Sequence, residues 1–329
     1  MARSPSSPRV PAGGPTGLLD RQLVFVTGKG GVGKTTIAAA LALLSAKQGR
    51  RTLICEVEPR GAVADAYQAE TTAYLPRRVL PGLWAMSMHT EAALREYLSL
   101  NLPLSPVGRL GPLARAFDFV ATAAPGVREI LVIGKLCFEV RENHFDLVVV
   151  DAPATGHVVG QLAAPASINE LVKVGLIRQQ TGWMQDILAD PARTGLVVVA
   201  TPEEMPVTET IELADRVARE TAVDLAAVVV NRVLPELFSR REEEIYHALA
   251  SPEQAGAWER VDVGNLQPVL SAADLAVTMR RTSATHLARL RQGIKAEVPM
   301  LYVPYLFGRA GGLRATRQLA TALAGELGY

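Results

Sequence analysis

Cysteine is nearly absent from this 329-residue chain, which contains only Cys55 and Cys137. Two cysteines that lie far apart in apolar surroundings form neither a disulfide framework nor the paired pattern of a structural zinc site. We therefore expect both side chains to be buried as small hydrophobic groups. Their small number also favours a protein of the reducing cytoplasm.

The chain also lacks a long apolar run and an excess of charge of either sign. Because no stretch of about 20 apolar residues occurs, no integral membrane segment is predicted. The formal net charge is only +1, which gives no electrostatic reason to expect nucleic acid as a partner. The first residues are rich in Ser, Pro, Gly and Arg without the apolar core of a signal peptide, so we predict a disordered leader over residues 1–20.

The most informative stretch begins at residues 23–26, a short β-branched and aromatic run that is typical of a buried parallel strand. Residues 28–35 follow with the spacing G-x-x-x-x-G-K-T, and an alanine- and leucine-rich helical segment comes next. A strand, a glycine-rich loop and a helix in this order predict a phosphate-binding loop. Such a loop directs backbone N–H groups and a helix N-terminus at phosphate oxygens.

This loop supplies the candidate residues for binding ATP and Mg²⁺. Lys34 is predicted to reach the β- and γ-phosphates, and the Thr35 hydroxyl is predicted to ligate Mg²⁺. The alternative is a glycine turn that merely joins the strand to the helix. The candidate set comprises Gly28, Lys29, Gly30, Gly31, Val32, Gly33, Lys34, Thr35 and Thr36.

Two further predicted strands, over residues 52–57 and 146–151, deliver acidic side chains to the same edge of a sheet. Ligands of open α/β sheets bind at the carboxyl ends of the strands. Glu58 is therefore a candidate for orienting or deprotonating an attacking water. The alternative is that Glu58 is simply a solvated polar residue at the end of the strand. Asp151 is a candidate for holding Mg²⁺ through a water, with a helix cap as the alternative.

The alternation of strands and helices predicts an α/β fold with a doubly wound, mostly parallel sheet, in a single domain over residues 21–329. An inserted helical subdomain is predicted from about residues 91–143 and 158–192. The second segment contains one methionine, Met184, and its helices either line a client groove or close the subdomain's own core. Further strands are predicted over residues 83–88, 196–200, 226–230 and 298–303.

The motifs together resemble one family of ATPases. Lys29 makes the loop K-G-G-V-G-K-T, which resembles the deviant Walker A of the SIMIBI class of P-loop NTPases. That loop, the run D-A-P-A-T-G-H from Asp151 and the run F-V-A-T-A-A-P-G-V-R-E over residues 119–129 are similar to the ArsA and tail-anchored-protein-targeting ATPases. The likeness covers roughly residues 21–326. It implies that Asn231 binds the adenine base and that Pro304 and Tyr305 belong to the loop covering it.

The resemblance also implies a dimer in which Lys29 crosses the interface to the partner's nucleotide; a solvated loop lysine is the alternative. A homodimer, a heterodimer with a related ATPase subunit and a protein client all stay open. The relatives carry Asp-Pro followed by His and Asn, whereas this chain reads E-P-R-G-A from Glu58. The resemblance implies an ATP-binding and hydrolysing dimeric switch that couples the nucleotide state to the shape of the helical, client-binding subdomain, and the altered Glu58 loop makes slow hydrolysis the expectation. The alternatives are a non-catalytic regulatory or scaffold subunit and a MinD/ParA-like positioning ATPase.

Three known metal functions of the wider class are not expected here. The arsenite ATPase binds its metalloid through a trio of cysteines, the targeting ATPase ties its dimer with zinc through Cys-x-x-Cys, and the nitrogenase iron protein needs cluster cysteines. This chain matches none of these patterns. No arsenite, zinc or iron–sulfur site is therefore predicted.

Overall fold

The computed structural model describes residues 17–101, 126–171, 176–249, 267–307 and 311–329. Within these residues the strands join into one eight-stranded sheet. The strands are β1 (Leu23–Gly28), β2 (Thr52–Glu56), β3 (Arg77–Leu80), β4 (Leu83–Ser87), β5 (Leu147–Asp151), β6 (Thr194–Ala200), β7 (Leu225–Val233) and β8 (Met300–Pro304).

The strand order is β3-β4-β2-β5-β1-β6-β7-β8, and all neighbours are parallel except β3 and β4. The doubly wound, mostly parallel α/β sheet predicted from the sequence is therefore confirmed. The helices are α1 (Lys34–Lys47), α2 (Ala62–Tyr67), α3 (Thr90–Asn101), α4 (Val127–Arg141), α5 (Thr155–Leu171), α6 (Leu176–Ala189), α7 (Glu204–Glu220), α8 (Arg240–Leu249), α9 (Gln267–Gly293) and α10 (Gly312–Leu327).

Helices cover both faces of the sheet, which is why its central strands β1, β2, β5 and β6 are buried at every position and mostly apolar. In β1, Val24 and Val26 face the core shared with α1, α2 and α10. Leu23 and Phe25 point to the opposite face, where α4, α5, α6 and part of α7 pack. The alternation of a pleated strand thus places the two halves of one apolar run in two different cores.

Strand β3 is one of the elements that the sequence does not predict. It is a short antiparallel edge strand that returns into β4 through a turn at Gly82, whose φ is +73°. Its first two residues, Arg77 and Arg78, are exposed, so the apolar alternation of a half-buried strand is absent. Basic side chains on a short edge strand are a common protection against unwanted strand pairing.

The end of the predicted disordered leader is packed into the core. Leu18 and Leu19 lie within the predicted leader, yet both are buried in the core beside α1 and α10; residues 1–16 lie outside the described residues. Helices α4 and α5 pack directly on the sheet. The division into a domain and a helical subdomain stays a prediction, and residues 102–125 and 172–175 of the predicted subdomain are not described.

Two expectations from composition can be compared with the fold. Cys55 and Cys137 are free and buried, as expected, and burial raises the pKa of both thiols, that of Cys137 to about 12. Neither thiol is therefore ionised near neutral pH. Among the described helices, none is both long enough and apolar enough to cross a membrane.

Candidate nucleotide site

The loop between β1 and α1 has the shape that binding of a phosphate chain requires. Gly33, the residue before α1, has a φ of +95° and makes no side-chain cap. A Cβ built at this position would lie 2.5 Å from Nδ2 of Asn231, so conformation and space both select glycine here. The first N–H groups of α1 have no capping side chain and are free to bind an anion.

Thr35 and Asp151 meet at the start of α1, as the sequence predicts. The Thr35 hydroxyl donates a hydrogen bond of 2.6 Å to Oδ2 of Asp151. The Asp151 residue is only 7% exposed, and its Oδ1 is buried without a hydrogen-bond partner in the described part of the chain. Lys34 lies on the same side, where its Nζ donates to the carbonyl oxygen of Lys29 at 3.4 Å.

The electrostatics of this corner favour an added cation. Burial raises the pKa of Asp151 to about 6; the Thr35 hydrogen bond and the charge of Lys34 oppose the shift, while Glu56 and Glu58 add to it. Burial also lowers the pKa of Lys34, against the attraction of Asp151 and Glu58. A divalent cation beside the unpartnered Oδ1 would favour the ionised carboxylate.

The donor set fits Mg²⁺, which prefers oxygen ligands and retains several waters. Within the described ranges no group of three or more His, Cys, Asp or Glu side chains is arranged to hold a metal ion. A bound Mg²⁺ would therefore depend on the hydroxyl of Thr35 and the carboxylate of Asp151, supplemented by phosphate oxygens and water. Such a site is completed by the nucleotide.

Glu58 does not lie on the strand edge itself. Strand β2 ends two residues earlier, at Glu56, and Glu58 lies on the following loop. There its Oε2 accepts a hydrogen bond of 2.7 Å from Arg60, and the two side chains are 39% and 78% exposed. The role of Glu58 in positioning water stays a prediction, and in this chain its carboxylate faces its own loop.

Glu56 is a site-edge carboxylate that the sequence reasoning missed. It is 1% exposed and accepts hydrogen bonds from the backbone N–H groups of Gly61 and Ala62 and from the Ser87 hydroxyl. The signal was present in the sequence, because an acidic residue inside a predicted buried strand needs partners. The sequence predicts that the strand ends one residue later, at Val57, which makes the adjacent Glu58 the candidate; the structure ends it at Glu56.

Lys29 has a partner within its own chain. Its Nζ forms a short ion pair with Glu209 of α7, a residue 180 positions away. The other oxygen of Glu209 accepts a hydrogen bond of 3.2 Å from the hydroxyl of Thr155, the first residue of α5. Glu209 thus connects the phosphate loop to the segment that follows Asp151, and sequence reasoning did not single it out.

The residues implied for adenine lie at the far side of the same loop. Asn231 is buried in β7, donates from Nδ2 to the carbonyl oxygen of Val32 at 2.8 Å, and accepts at Oδ1 from the N–H of Arg232. Pro304 ends β8, and the Tyr305 N–H donates to the carbonyl oxygen of Val233. The adenine contacts of Asn231, Pro304 and Tyr305 stay predictions.

Comparison with known proteins agrees with this arrangement. The model of the anion-transporting ATPase (ArsA) family matches residues 21–185 and 177–251. ATPase BagA of Mycobacterium tuberculosis (strain ATCC 25618 / H37Rv) is 33% identical over 246 residues, which cover 71% of this chain and 72% of the relative.

Two other relatives are named for the two groups of ATPases that the sequence resembles. ATPase get3 of Schizosaccharomyces japonicus is 27% identical over 261 residues, covering 67% of this chain and 79% of the relative. The arsenical pump-driving ATPase of Acidiphilium multivorum is 27% identical over 256 residues, covering 72% of this chain and 42% of that protein. The chain therefore belongs to the anion-transporting ATPase (ArsA) family of P-loop ATPases.

Proposed function

We propose that this protein binds ATP with Mg²⁺ and hydrolyses it as a conformational switch. The observation that carries the proposal is the meeting of Thr35, Asp151 and Lys34 beside an uncapped helix N-terminus, with one buried carboxylate oxygen of Asp151 left without a partner. Membership of a family of ATPases supports the same reading. Each of these groups has a task in binding a triphosphate.

The residues divide between binding and chemistry. Backbone N–H groups of the loop and the Lys34 ammonium bind the phosphates. Thr35 and Asp151 would hold Mg²⁺, which when bound neutralises charge on the phosphate oxygens. Glu58 orients the attacking water, and to do so its carboxylate leaves Arg60 and turns towards the γ-phosphate position.

The switch is proposed to act through the start of α5. Thr155 lies four residues after Asp151 and is hydrogen-bonded to Glu209. A change at the γ-phosphate would alter which partner Thr155 prefers, and α5 would transmit that change to α6, against which it packs. Helices α5 and α6 belong to the predicted client-binding region, and the client is proposed to be a protein.

A nucleotide-dependent dimer is part of the proposal, with a second copy or a related ATPase subunit as the partner. Lys29 would leave Glu209 and reach the partner's nucleotide. Lys29→Ala should then keep ATP binding and lose ATP-dependent association, measured by light scattering. Unchanged association of this variant would contradict the role of Lys29 across the interface.

Hydrolysis is tested by single-turnover phosphate release with Mg²⁺ and ATP bound at stoichiometric amounts. We expect the wild-type protein to release phosphate above a Lys34→Ala control. No release above that control, even with a related ATPase subunit added, would contradict the enzymatic proposal.

The second candidate is a non-catalytic nucleotide-binding subunit. The pairing of Glu58 with Arg60, in a loop that lacks the His and Asn of the relatives, favours it. In that case ATP would raise the melting temperature of the protein, but no phosphate release above the Lys34→Ala control would be measured. The two measurements together separate a nucleotide switch from a nucleotide-stabilised subunit.

A further inference from the structure

Glu56, the last residue of β2, has no part in the function proposed so far. It is in register with Asp151 of the neighbouring strand β5, so its side chain enters the site edge from the next strand. Its Oε1 accepts the N–H of Ala62 at 2.9 Å. Its Oε2 accepts the N–H of Gly61 and the hydroxyl of Ser87, both at 3.3 Å.

Two of these hydrogen bonds close the loop that carries Glu58. The chain leaves the sheet at Glu56, passes through residues 57–60 and begins helix α2 at Ala62. The backbone of Glu56 is fixed at the sheet edge, because its carbonyl oxygen accepts the N–H of Met88 at 2.8 Å. Its side chain holds the start of α2, so one residue fixes both ends of the four-residue loop.

Val57, the first residue of this loop, is anchored separately, because its N–H donates to the carbonyl oxygen of Asp151 at 3.1 Å and its side chain is buried. The residues beyond it have less support. The polar contact that the structure gives the Glu58 side chain is with Arg60, which belongs to the same loop and is highly exposed. That contact cannot fix the loop relative to the sheet. The position of Glu58 relative to the phosphate loop therefore depends on Val57 on one side and on the contacts of Glu56 with Gly61 and Ala62 on the other.

Both oxygens of Glu56 accept hydrogen bonds, whereas among the described residues only Oδ2 of Asp151 does. Three donors from the protein occupy its carboxylate, whereas Oδ1 of Asp151 has none among the described residues. Ser87 is itself anchored, because its N–H donates to the carbonyl oxygen of Ala73 at 2.8 Å and its hydroxyl contacts that of Thr72. This arrangement suits a residue that positions a loop better than one that ligates a cation.

We propose that Glu56 is a positioning residue for ATP hydrolysis, which acts by holding residues 57–60 so that Glu58 can reach the attacking water. The inference rests on the function proposed above for Glu58. It concerns the chemical step alone, because the phosphates are bound by the loop before α1. Loss of Glu56 should therefore lower kcat and leave KM for ATP nearly unchanged.

The test uses Glu56→Gln in the full-length protein, with Glu70→Gln, an exposed carboxylate shortly after α2, as its matched control. Glutamine keeps the size of the side chain but replaces one acceptor oxygen with an NH₂ group, which cannot accept from a backbone N–H, so either Gly61 or Ala62 loses its acceptor. We expect kcat to fall about tenfold with KM within twofold of wild type. Glu70→Gln should match wild type in both constants.

A double variant shows whether Glu56 acts through Glu58. Since Glu56 is proposed to work only by placing that carboxylate, Glu56→Gln combined with Glu58→Gln should be no slower than Glu58→Gln alone. Hydrogen exchange of the Gly61 and Ala62 amides, measured without nucleotide, should be faster in Glu56→Gln than in wild type.

The outcomes separate the two proposals. A wild-type protein that releases no phosphate contradicts the proposed hydrolysis. An active wild type with a Glu56→Gln variant of unchanged kcat, or with fully additive losses in the double variant, overturns the role of Glu56 alone. Should Glu56→Gln not fold, Ser87→Ala removes one donor to the same carboxylate, and a two- to threefold fall in kcat at constant KM is expected; an unchanged kcat overturns the inference.

Discussion

The two loops that meet at the carboxyl edge of the sheet hold their polar side chains in different ways. After β1, Thr35 and Lys34 lie on the first turn of a long helix, and Thr35 is already hydrogen-bonded to Asp151. After β2, the backbone is fixed by Glu56 while Glu58 extends towards solvent. The first loop is organised for binding before any ligand arrives, whereas in the proposed mechanism the second would still have to bring the Glu58 carboxylate to the attacking water.

The largest effect should come from the organised loop. Replacing Lys34 with alanine removes a charge-assisted contact worth about 1.5–3 kcal/mol, so the affinity for ATP should fall about 10- to 100-fold. Titration with a fluorescent ATP analogue measures this loss. Lys47→Ala, which removes an exposed lysine from the last turn of the same helix, is the control and should leave the affinity unchanged.

An equal loss in both lysine variants would show that the overall charge of α1 binds the phosphates, and that the position of Lys34 is unimportant. That result would remove the contrast between the two loops, because the first would then hold no specific contact.

How far the sequence could predict this site follows from the same contrast. Spacing after a strand predicts that Lys34, Thr35 and Asp151 lie at one edge of the sheet, because a parallel sheet brings its strand ends together, and the structure brings Thr35 into contact with Asp151. Their roles stay predictions. Spacing could not show that Lys29 pairs with Glu209, 180 residues away, since that contact depends on how α7 packs.

The strand after α1 shows a second limit of prediction. The predicted strand ended at Val57, and the adjacent acid, Glu58, became the candidate; the structure ends β2 at Glu56. Alternation in a strand places Glu56 and Glu58 on the same side, so the pattern alone could not distinguish them. Only the contacts with Gly61 and Ala62 show which of the two carboxylates is already engaged.

The second prediction concerns the loss of folding stability that follows from burying the Asp151 carboxylate without a cation. Its pKa of about 6 in the folded chain lies above the value of roughly 3.9 expected after unfolding, a difference of about 3 kcal/mol. The contribution of the protonated Asp151 carboxyl to the free energy of unfolding is fully present below pH 4, where the group is protonated in both states. This contribution is lost as the pH rises through 6. Asp151→Asn should therefore stabilise the protein at pH 8, by on the order of 2–3 kcal/mol in EDTA without nucleotide.

Chemical denaturation at pH 8 and pH 4.5 measures this effect, and the gain should shrink at the lower pH. Asp146, at the other end of β5, is the matched control. Burial would raise its pKa, but hydrogen bonds from Arg51 hold the pKa below the usual range, so Asp146→Asn should destabilise the protein at pH 8 and less so in acid. A destabilised Asp151→Asn variant at pH 8 would contradict the strain assigned to Asp151.

The third prediction concerns Glu209, the partner that Lys29 would have to leave in the proposed dimer. A half-exposed ion pair contributes about 1 kcal/mol or less, so Glu209→Gln should lower the ATP concentration needed for association by up to about fivefold. Light scattering during an ATP titration measures the midpoint. Glu212→Gln, an exposed carboxylate on the same helix, is the control and should leave the midpoint unchanged.

An unchanged midpoint in Glu209→Gln, in a protein whose wild type does associate, would show that breaking the Lys29–Glu209 pair does not limit dimer formation. Association of Glu209→Gln without any nucleotide would show the reverse, that this pair alone keeps the subunits apart.

The smallest effect is expected for the pair that faces solvent after β2. Arg60 and Glu58 are both substantially exposed, and such pairs contribute between 0 and about 1 kcal/mol to stability. Arg60→Ala should therefore leave the unfolding free energy within about 0.5 kcal/mol of wild type. If Glu58 must leave Arg60 before it can orient water, the same variant should hydrolyse ATP at the wild-type rate or up to about twofold faster, since breaking a weak contact is no longer part of the barrier. A rate reduced tenfold or more would instead show that hydrolysis requires the Arg60 guanidinium. The pairing of Glu58 with Arg60 would then be part of an organised site, as the pairing of Thr35 with Asp151 is in the first loop.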